Sequence, residues 1–354
     1  MKHLLLRKFI FIFCLAFPFL SASTINEKVI ICGIVKNAEK AIPNTIRSAE
    51  SLGACFSDYR IIVYEDNSSD QTPILLNRWA QSNSRVCVIS EIFDRDEMGQ
   101  NLPMGKTTNI GIIARARNKV LDVILRDDLF GDYKYVIIAD LDFYRPWDIK
   151  NILDTILHPQ AEWDAVFGNG FYDHLAFRSP EFPISFELIG HEWSTHLDEL
   201  RARLNRLRYY DPKGPWRKVY SAFGGIGIYK RASIKGCRYS EVVTHDIEFL
   251  VSQWIEQAKP NTFLLSRYQQ LLASSMIIDL YSDRMTPTER LTYPETLGIR
   301  LFNQYGLGKV VWFSCKSKYN LPLTCEHVPF HASMIRNGHD KLFINPKICS
   351  NPAR

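Results

Sequence analysis

Apolar runs and helical segments alternate through the first half of the chain. Four continuous apolar runs predict strands, at residues 29–35, 59–64, 85–89 and 133–139. Segments with helical periodicity lie between them, at residues 41–52, 72–81 and 109–125. Runs that are apolar at consecutive positions are typical of parallel strands covered by helices on both faces. The alternation therefore predicts an α/β fold with a mixed, mostly parallel sheet flanked by helices.

The pattern becomes looser in the second half. It predicts a helix at 148–157, a strand at 165–167, a basic amphipathic helix at 197–207, a glycine-rich strand entry at 221–229 and a helix at 246–257. No internal repeat or low-complexity linker divides the chain. We therefore expect one compact domain over residues 24–354, with a ligand-binding half at about 24–160 and a second, substrate-side half at about 161–354.

The N-terminus has the residue order of a secretory signal. Lys2, Arg7 and Lys8 precede an apolar run at 9–20, and the small residues 21–23 follow it. The run is shorter than the ~20 residues that span a bilayer as a helix. We expect residues 1–23 to be a cleaved signal peptide or an uncleaved type II anchor. In either case the body is exported, to a secretory-pathway lumen of Golgi type or to the cell envelope, and meets the membrane only through this segment.

Charge and cysteine content add two limits. The formal net charge of +5 is too small to indicate nucleic acid as a partner. Seven of the eight cysteines follow the N-terminal segment, and they lack the close pairs expected of zinc sites. An odd number of cysteines leaves at least one thiol free or intermolecular, and the sequence does not specify a pairing.

Two aspartates follow the fourth predicted strand directly. Asp140 and Asp142 are one residue apart, after the run 135–139. Close carboxylates repel each other unless a cation joins them. Oxygen ligands suit Mn²⁺ or Mg²⁺, which completes its coordination with phosphate oxygens and water. We therefore predict a metal and diphosphate site here, the alternative being an aspartate pair that caps the next turn.

The second predicted strand ends in the same way. Glu65 and Asp66 follow it and are predicted to bind a nucleotide through its base or ribose, although the residues after them are also ordinary turn formers. Arg117 and Asn118 lie on the helix that precedes the Asp140 strand. The planar fork of Arg117 suits a phosphate or a carboxylate, and a solvated helical arginine is the alternative.

Glycines, acids and histidines of the second half complete the candidate set. Gly224 and Gly225 lack the spacing of a dinucleotide fingerprint and predict close approach of a sugar to the backbone. Either His327 or His331 is a candidate third metal ligand; they share one face if helical, although Pro329 favours a loop at this point. Three acids of this half are candidate general bases: Glu326, Asp246 and Asp173.

The motifs of this chain, taken in the order in which they occur, resemble those of GT-A glycosyltransferases. More narrowly, they resemble the capsule-associated α-1,3-mannosyltransferase-like family. The matching pieces are 64–72, 116–118, 140–142, 163–165, Tyr172 with Asp173, 224–229, 325–327 and 344–346. The resemblance implies a nucleotide-diphosphate sugar donor, Mn²⁺ or Mg²⁺, an exported catalytic domain, and Tyr172 and Asp173 on the sugar or acceptor side.

The resemblance leaves two points open. The family commonly has a sequence around Asn-Asp-Val where this chain has 140–142, which is closer to the general GT-A motif, so mannose is one candidate sugar. Residues 244–246 also resemble the base-containing motif of inverting enzymes. The two likenesses therefore indicate different bases, Asp246 and Glu326.

The sequence therefore predicts a metal-dependent glycosyltransferase. The predicted enzyme moves a hexose from a UDP or GDP donor to a hydroxyl of a glycan or glycoprotein. The alternative from another class is a non-catalytic nucleotide- or sugar-binding protein on the same fold. A metal hydrolase is a weaker alternative, because no dense cluster of further ligands lies near the aspartate pair in the sequence.

Overall fold

A computed structural model of the chain describes residues 25–91, 109–158, 162–170, 176–180, 210–240 and 324–349, with Thr244, Asp246, Ile247 and Leu250. Its strands are β1 Ile25–Val35, β2 Phe56–Glu65, β3 Val86–Ser90, β4 Tyr135–Ala139, β5 Ala165–Phe167, β6 Arg217–Lys218, β7 Ile226–Lys230 and β8 Leu342–Ile344. Its α-helices are α1 Ile42–Gly53, α2 Thr72–Ser82, α3 Asn109–Ile124, α4 Asp127–Phe130, α5 Ile149–Ile156 and α6 His327–Arg336, and a 3₁₀ helix spans Arg231–Ile234.

The described strands form one mixed sheet. Their order is β3-β2-β1-β4-β7-β5-β8-β6, and β1 to β4 are mutually parallel. β7 runs antiparallel to its neighbours β4 and β5, so β5 has the same direction as β1 to β4. β8 pairs parallel to β5. The predicted mixed, mostly parallel sheet flanked by helices is confirmed. Each apolar run predicted as a strand in the first half overlaps one of β1 to β4, although β3 begins one residue and β4 two residues later than predicted.

Helices cover the sheet on both faces. The apolar side chains of α3 and α6 pack into the core on one face, and those of α1, α2 and α5 pack into the core on the other. Both faces of β1 and β4 are therefore buried, which is why these strands read as continuous apolar runs rather than as alternating ones. No helix within the described ranges is long and apolar enough to cross a membrane.

A glycine brings β1 and the end of β4 into close contact. A Cβ added at Gly33 would lie 2.1 Å from the Ala139 carbonyl oxygen and 2.8 Å from Cγ of Leu141. Any larger residue at this position would push away the chain segment that holds the two aspartates. The sequence of β1 therefore helps to place the loop after β4.

The helix α6 corrects one expectation. Pro329 was expected to favour a loop, but it lies in the first turn of a helix that begins at His327. The first backbone N–H groups of a helix have no partner within the helix, so a proline there removes no hydrogen bond. His327 and His331 are both buried residues of this helix. The helix predicted at 197–207 and most of the one predicted at 246–257 lie outside the described residues.

Candidate functional site

The carboxyl ends of β1, β2 and β4 meet at one edge of the sheet. Val35 pairs with Glu65 in register, and β4 lies on the other side of β1. The loops that follow these strands begin at Lys36, Asp66 and Asp140. Ligands of open α/β sheets bind at this edge. The fold therefore brings together the two predicted acidic segments.

Hydrogen bonds tie the loops after β1 and β2 to each other. The backbone N–H of Asn37 donates to Ser68 Oγ at 2.9 Å, and Asn37 Oδ1 accepts from the Ser69 N–H at 2.8 Å. Asn37 and Asn67 have φ angles of 49° and 47°, a left-handed conformation that asparagine tolerates better than most residues. The residues after β2 therefore do form a hydrogen-bonded turn, and this turn holds Asp66 at the end of the strand.

The two acids at the end of β2 have different surroundings. Glu65 is buried, and its carboxylate accepts hydrogen bonds from the Ser68 N–H at 2.6 Å and from Ser90 Oγ at 2.7 Å. Asp66 is half-buried. Its burial, together with the charge of Glu65, raises the pKa of the Asp66 carboxyl, and Arg115 offsets part of that rise. Glu65 thus organises the loop, and Asp66 is a partly exposed acid whose carboxylate lies 3.9 Å from Lys36 Nζ.

Arg117 is a buried cation between two acids. Its Nε lies 3.1 Å from Glu326 Oε1, and its Nη2 lies 3.3 Å from Asp140 Oδ1. The guanidinium also lies over the rings of Phe223, at 4.8 Å, and Tyr239, at 5.7 Å. Burial disfavours its charge, but the two carboxylates outweigh that effect and hold the pKa of Arg117 above its usual value. The alternative of a solvated helical arginine does not fit a side chain that is 6% exposed.

The loop after β4 is held from both sides. The Asp140 N–H donates to the Gly225 carbonyl at 2.9 Å, and the Leu141 carbonyl accepts from Thr45 Oγ1 at 2.8 Å. Asp142, by contrast, is exposed. The aspartate that caps α5 is Asp148, whose carboxylate accepts from the backbone N–H at the third helical position. Asp140 and Asp142 therefore do not serve as the cap of that helix.

These two aspartates fit a divalent cation that shares its coordination with a ligand. Asp140 contacts Arg117 through Oδ1, and Asp142 is exposed to solvent. No group of three or more His, Cys, Asp or Glu side chains in the described part of the chain could hold a metal alone. Mg²⁺ and Mn²⁺ commonly take one or two protein carboxylates and fill their coordination with phosphates and water. The donor set fits that arrangement.

The two histidines of α6 are packed in the core. His331 is fully buried, with its Nδ1 2.9 Å from Ser221 Oγ and its Nε2 3.0 Å from Tyr229 Oη. The ring of His327 stacks on that of Phe223, with centroids 4.1 Å apart. Both nitrogens of His331 are already engaged, so metal binding there would require these hydrogen bonds to break. Both ring nitrogens of His327, by contrast, have no hydrogen-bond partner among the described residues, so metal binding by His327 stays a prediction.

The two base candidates lie at opposite ends of α6. Glu326 precedes the helix and contacts Arg117, whereas Asp246 accepts a hydrogen bond from Arg336 Nη1 at 2.7 Å in the last turn. The helix rises ~1.5 Å per residue, which puts its ends about 15 Å apart. Glu326 is thus the candidate that shares a partner with Asp140. Asp173 and Tyr172 lie outside the described residues.

Gly224 and Gly225 are approached by the chain itself. Both have positive φ angles, 61° and 84°. A Cβ added at Gly224 would lie 2.2 Å from the Gly168 carbonyl oxygen. Close approach of a sugar was predicted at this point, but the close neighbour of Gly224 in the structure is the backbone of Gly168, and the sugar contact stays a prediction. Their immediate role is to let the entry of β7 pass against the end of β5.

Asn118 supports Arg117 indirectly. Its side chain donates to the Tyr239 carbonyl at 2.9 Å and accepts from the Tyr239 N–H at 2.9 Å. This pair of hydrogen bonds holds the ring of Tyr239 against the Arg117 guanidinium. Asn118 therefore positions the residues around Arg117 rather than facing the edge.

One acid at the edge was missed by sequence reasoning. Glu91 follows β3, and its carboxylate lies 2.6 Å from Arg115 Nη2 and 2.9 Å from Lys119 Nζ. The same strand-end position that pointed to Asp66 and Asp140 would have pointed to Glu91. The two cations hold the pKa of the Glu91 carboxyl below its usual value. Arg115 also donates to Tyr64 Oη at 3.0 Å, which links this cluster to β2.

Comparison with known families supports the class of enzyme. Residues 30–100 match glycosyl transferase family 2, a stretch that contains β2, β3 and the second half of β1 but is less than half of the chain. The prediction of a glycosyltransferase is confirmed at the level of the class. The sheet described above agrees with the GT-A fold that the resemblance implied. The match does not extend to the capsule-associated α-1,3-mannosyltransferase-like family.

Solved structures with overall likeness are distant. A mannosyltransferase from Pyrobaculum calidifontis in complex with GDP-Man and Mn²⁺ is 13% identical, with 90% of this chain and 89% of that chain covered and a TM-score of 0.36. TarS 1–349 of S. aureus in complex with UDP is 13% identical, with 88% and 92% covered and a TM-score of 0.40. At these values the likenesses decide nothing about chemistry. No curated protein matches by sequence.

The buried histidines predict a pH-dependent stability. Burial, helped by the charge of Arg117, lowers the pKa of His331 from 6.5 to about 3. Between these values the unfolded chain binds a proton that the folded chain does not, so stability falls as the pH decreases below about 6.5. From pH 7 to pH 5 this histidine alone costs about 2 kcal/mol. Urea unfolding at a series of pH values should show a smaller loss in His331→Gln.

The exposed His158 supplies the control for this experiment. His158→Gln should leave the loss of stability between pH 7 and pH 5 as it is in the unmodified chain. An identical pH dependence in His331→Gln and the unmodified chain would contradict the buried, neutral state of His331.

Proposed function

We propose that this chain is a metal-dependent glycosyltransferase that moves a hexose from a nucleotide-diphosphate donor to a hydroxyl of a glycan or glycoprotein. The observation that supports it most is the shared sheet edge, where Asp66 follows β2 and the exposed Asp142 lies in the loop after β4, two parallel strands on either side of β1. The family 2 match covers the strands that build the nucleotide side of this edge.

In the proposed donor site, the loops after β2 and β4 bind different parts of the donor. Asp142 and Asp140 would hold Mn²⁺ or Mg²⁺ against the diphosphate. Such a cation stabilises negative charge on the departing nucleoside diphosphate. Arg117 orients Asp140, because its guanidinium donates a hydrogen bond to one carboxylate oxygen. Asp66 would accept hydrogen bonds from ribose hydroxyls or from the base.

The acceptor hydroxyl needs a base, for which we propose Glu326. It is the candidate that shares Arg117 with Asp140. Asp246 contacts Arg336 at the far end of α6 instead. Mannose is the hexose we propose to test first, since the family resemblance in the sequence indicates it, with UDP-linked hexoses as the comparison.

The metal ligand is tested by removing one carboxylate. Asp142→Ala should abolish Mn²⁺-dependent binding of GDP and UDP in calorimetry and reduce sugar transfer at least 100-fold, because the donor's diphosphate loses its link to the protein. Asp154→Ala is the matched control, since Asp154 is an exposed aspartate paired only with Lys150 on the surface of α5. Equal metal-dependent binding by Asp142→Ala and the control would refute the proposed site.

We propose further that residues 1–23 direct the body of the chain into a secretory lumen or the cell envelope, as a cleaved signal or a type II anchor. A positive flank followed by a short apolar run supports this proposal. Full-length protein translated with microsomes and carrying a C-terminal epitope should be protected from protease until detergent is added. Digestion of the epitope without detergent would contradict export.

A further inference from the structure

A groove lies beside the loop that joins β4 to α5. Its volume is about 600 Å³ with the open mouth included, and its walls include Phe143, Arg145, Trp147, Asp148, Ile226 and Ile348. Phe143 directly follows Asp142, so the groove begins where the proposed metal site ends. Neither the donor site nor the candidate base uses any of these residues.

An unpaired donor marks this groove as a binding site. Trp147 is 8% exposed, and its indole Nε1–H has no hydrogen-bond partner among the residues that the structure describes. A buried polar group without a partner costs about 1–3 kcal/mol, so native proteins seldom keep one without a reason. The nitrogen itself is buried, so a ligand hydroxyl that moves the wall of the groove slightly and accepts from this N–H would supply the missing hydrogen bond.

The chemistry of the walls suits a sugar ring. Phe143, Ile226 and Ile348 provide apolar surface for the C–H groups of a pyranose. The Trp147 N–H is a donor that a hydroxyl recognises, whereas the Asp148 carboxylate already accepts two hydrogen bonds from Asn151. Arg145 is exposed and makes no ion pair with any described residue, so its guanidinium is available to a hydroxyl or to an acidic substituent.

The position of the groove favours the acceptor over the donor. The nucleotide loops follow β1 and β2, on one side of β4 in the sheet. Ile226 begins β7 and Ile348 follows β8, both on the other side of β4. Asp142 lies between the two sides. A sugar in the groove would therefore approach the metal loop from the side opposite to the nucleotide.

We propose that this groove binds a sugar unit of the acceptor, with the Trp147 indole N–H as a hydrogen-bond donor to one of its hydroxyls. That this sugar belongs to an acceptor rests on the proposed glycosyl transfer. The binding of a free sugar, however, is measured without any donor, metal or transfer.

The indole N–H itself reports on binding. In a ¹⁵N-labelled chain each of the 7 tryptophans gives one indole resonance, and the one absent from Trp147→Phe is that of Trp147. The probes are methyl α-D-mannopyranoside, methyl β-D-galactopyranoside and the methyl glycoside of glucuronic acid, each titrated with and without GDP or UDP and Mn²⁺. The Trp147 resonance should shift saturably with at least one probe.

The variants separate recognition from folding. Trp147→Phe keeps an aromatic ring and should weaken binding of the responding probe about 3- to 10-fold, the effect of one hydrogen bond. Trp163→Phe is the matched control, because Trp163 is a buried tryptophan of the same core, stacked on Tyr135. It should leave probe affinity unchanged. Arg145→Gln, at an exposed position, should weaken the glucuronide in a folded protein even if Trp147→Phe is unstable.

Three results would overturn the proposal. The first is that no probe shifts the Trp147 resonance under any condition. The second is that both tryptophan variants bind the probe equally well. The third is that only a nucleotide sugar, and no free glycoside, shifts it, which would place the donor's sugar in the groove. A probe response that persists in Asp142→Ala while nucleotide binding fails separates this site from the donor site.

Discussion

The buried charge of Arg117 is the constraint that the rest of the site depends on. A guanidinium that is 6% exposed is stable only if carboxylates and hydrogen-bond acceptors surround it, because water no longer solvates it. Its partners come from four segments: Asp140 after β4, Glu326 before α6, Phe223 before β7 and Tyr239 after the 3₁₀ helix. Docking of α6 and placement of the β4 loop are therefore parts of one electrostatic arrangement.

This arrangement makes the two aspartates unequal. Asp140 is tied to Arg117 and to the Gly225 carbonyl, whereas Asp142 is exposed beyond the buried Leu141. One carboxylate thus fixes the loop and the other is available to a ligand. The nucleotide loops and the groove at Trp147 lie on opposite sides of this point. The proposed donor site and the proposed acceptor groove therefore lie on opposite sides of Asp142 at the sheet edge.

Much of the fold could be predicted because apolar runs and strand ends are local signals. The runs at 29–35 and 133–139 are parts of strands that are buried on both faces, and the acids after β2 and β4 follow directly from the strand ends. The same signal would have found Glu91. Pro329 was misleading, since a proline in the first turn of a helix costs no hydrogen bond.

The partners of the predicted residues could not be predicted in the same way. Arg117 and Glu326 are 209 positions apart, so no periodicity relates them. The hydrogen bonds of His331 to Ser221 and Tyr229 depend on how α6 docks, and a histidine's sequence context does not distinguish core packing from metal binding. The backbone contact that requires Gly224 also comes from a distant loop, at Gly168.

A double-mutant cycle on Arg117 and Glu326 tests the central claim most directly. Free energies of unfolding are measured by urea denaturation for Arg117→Met, Glu326→Gln and the double variant. Arg117→Met should cost about 3–5 kcal/mol, because it leaves buried carboxylates without their cation, and the double variant should cost clearly less than the sum of the two. Strictly additive losses would show that Arg117 does not hold α6 and the metal loop together, and would contradict the account.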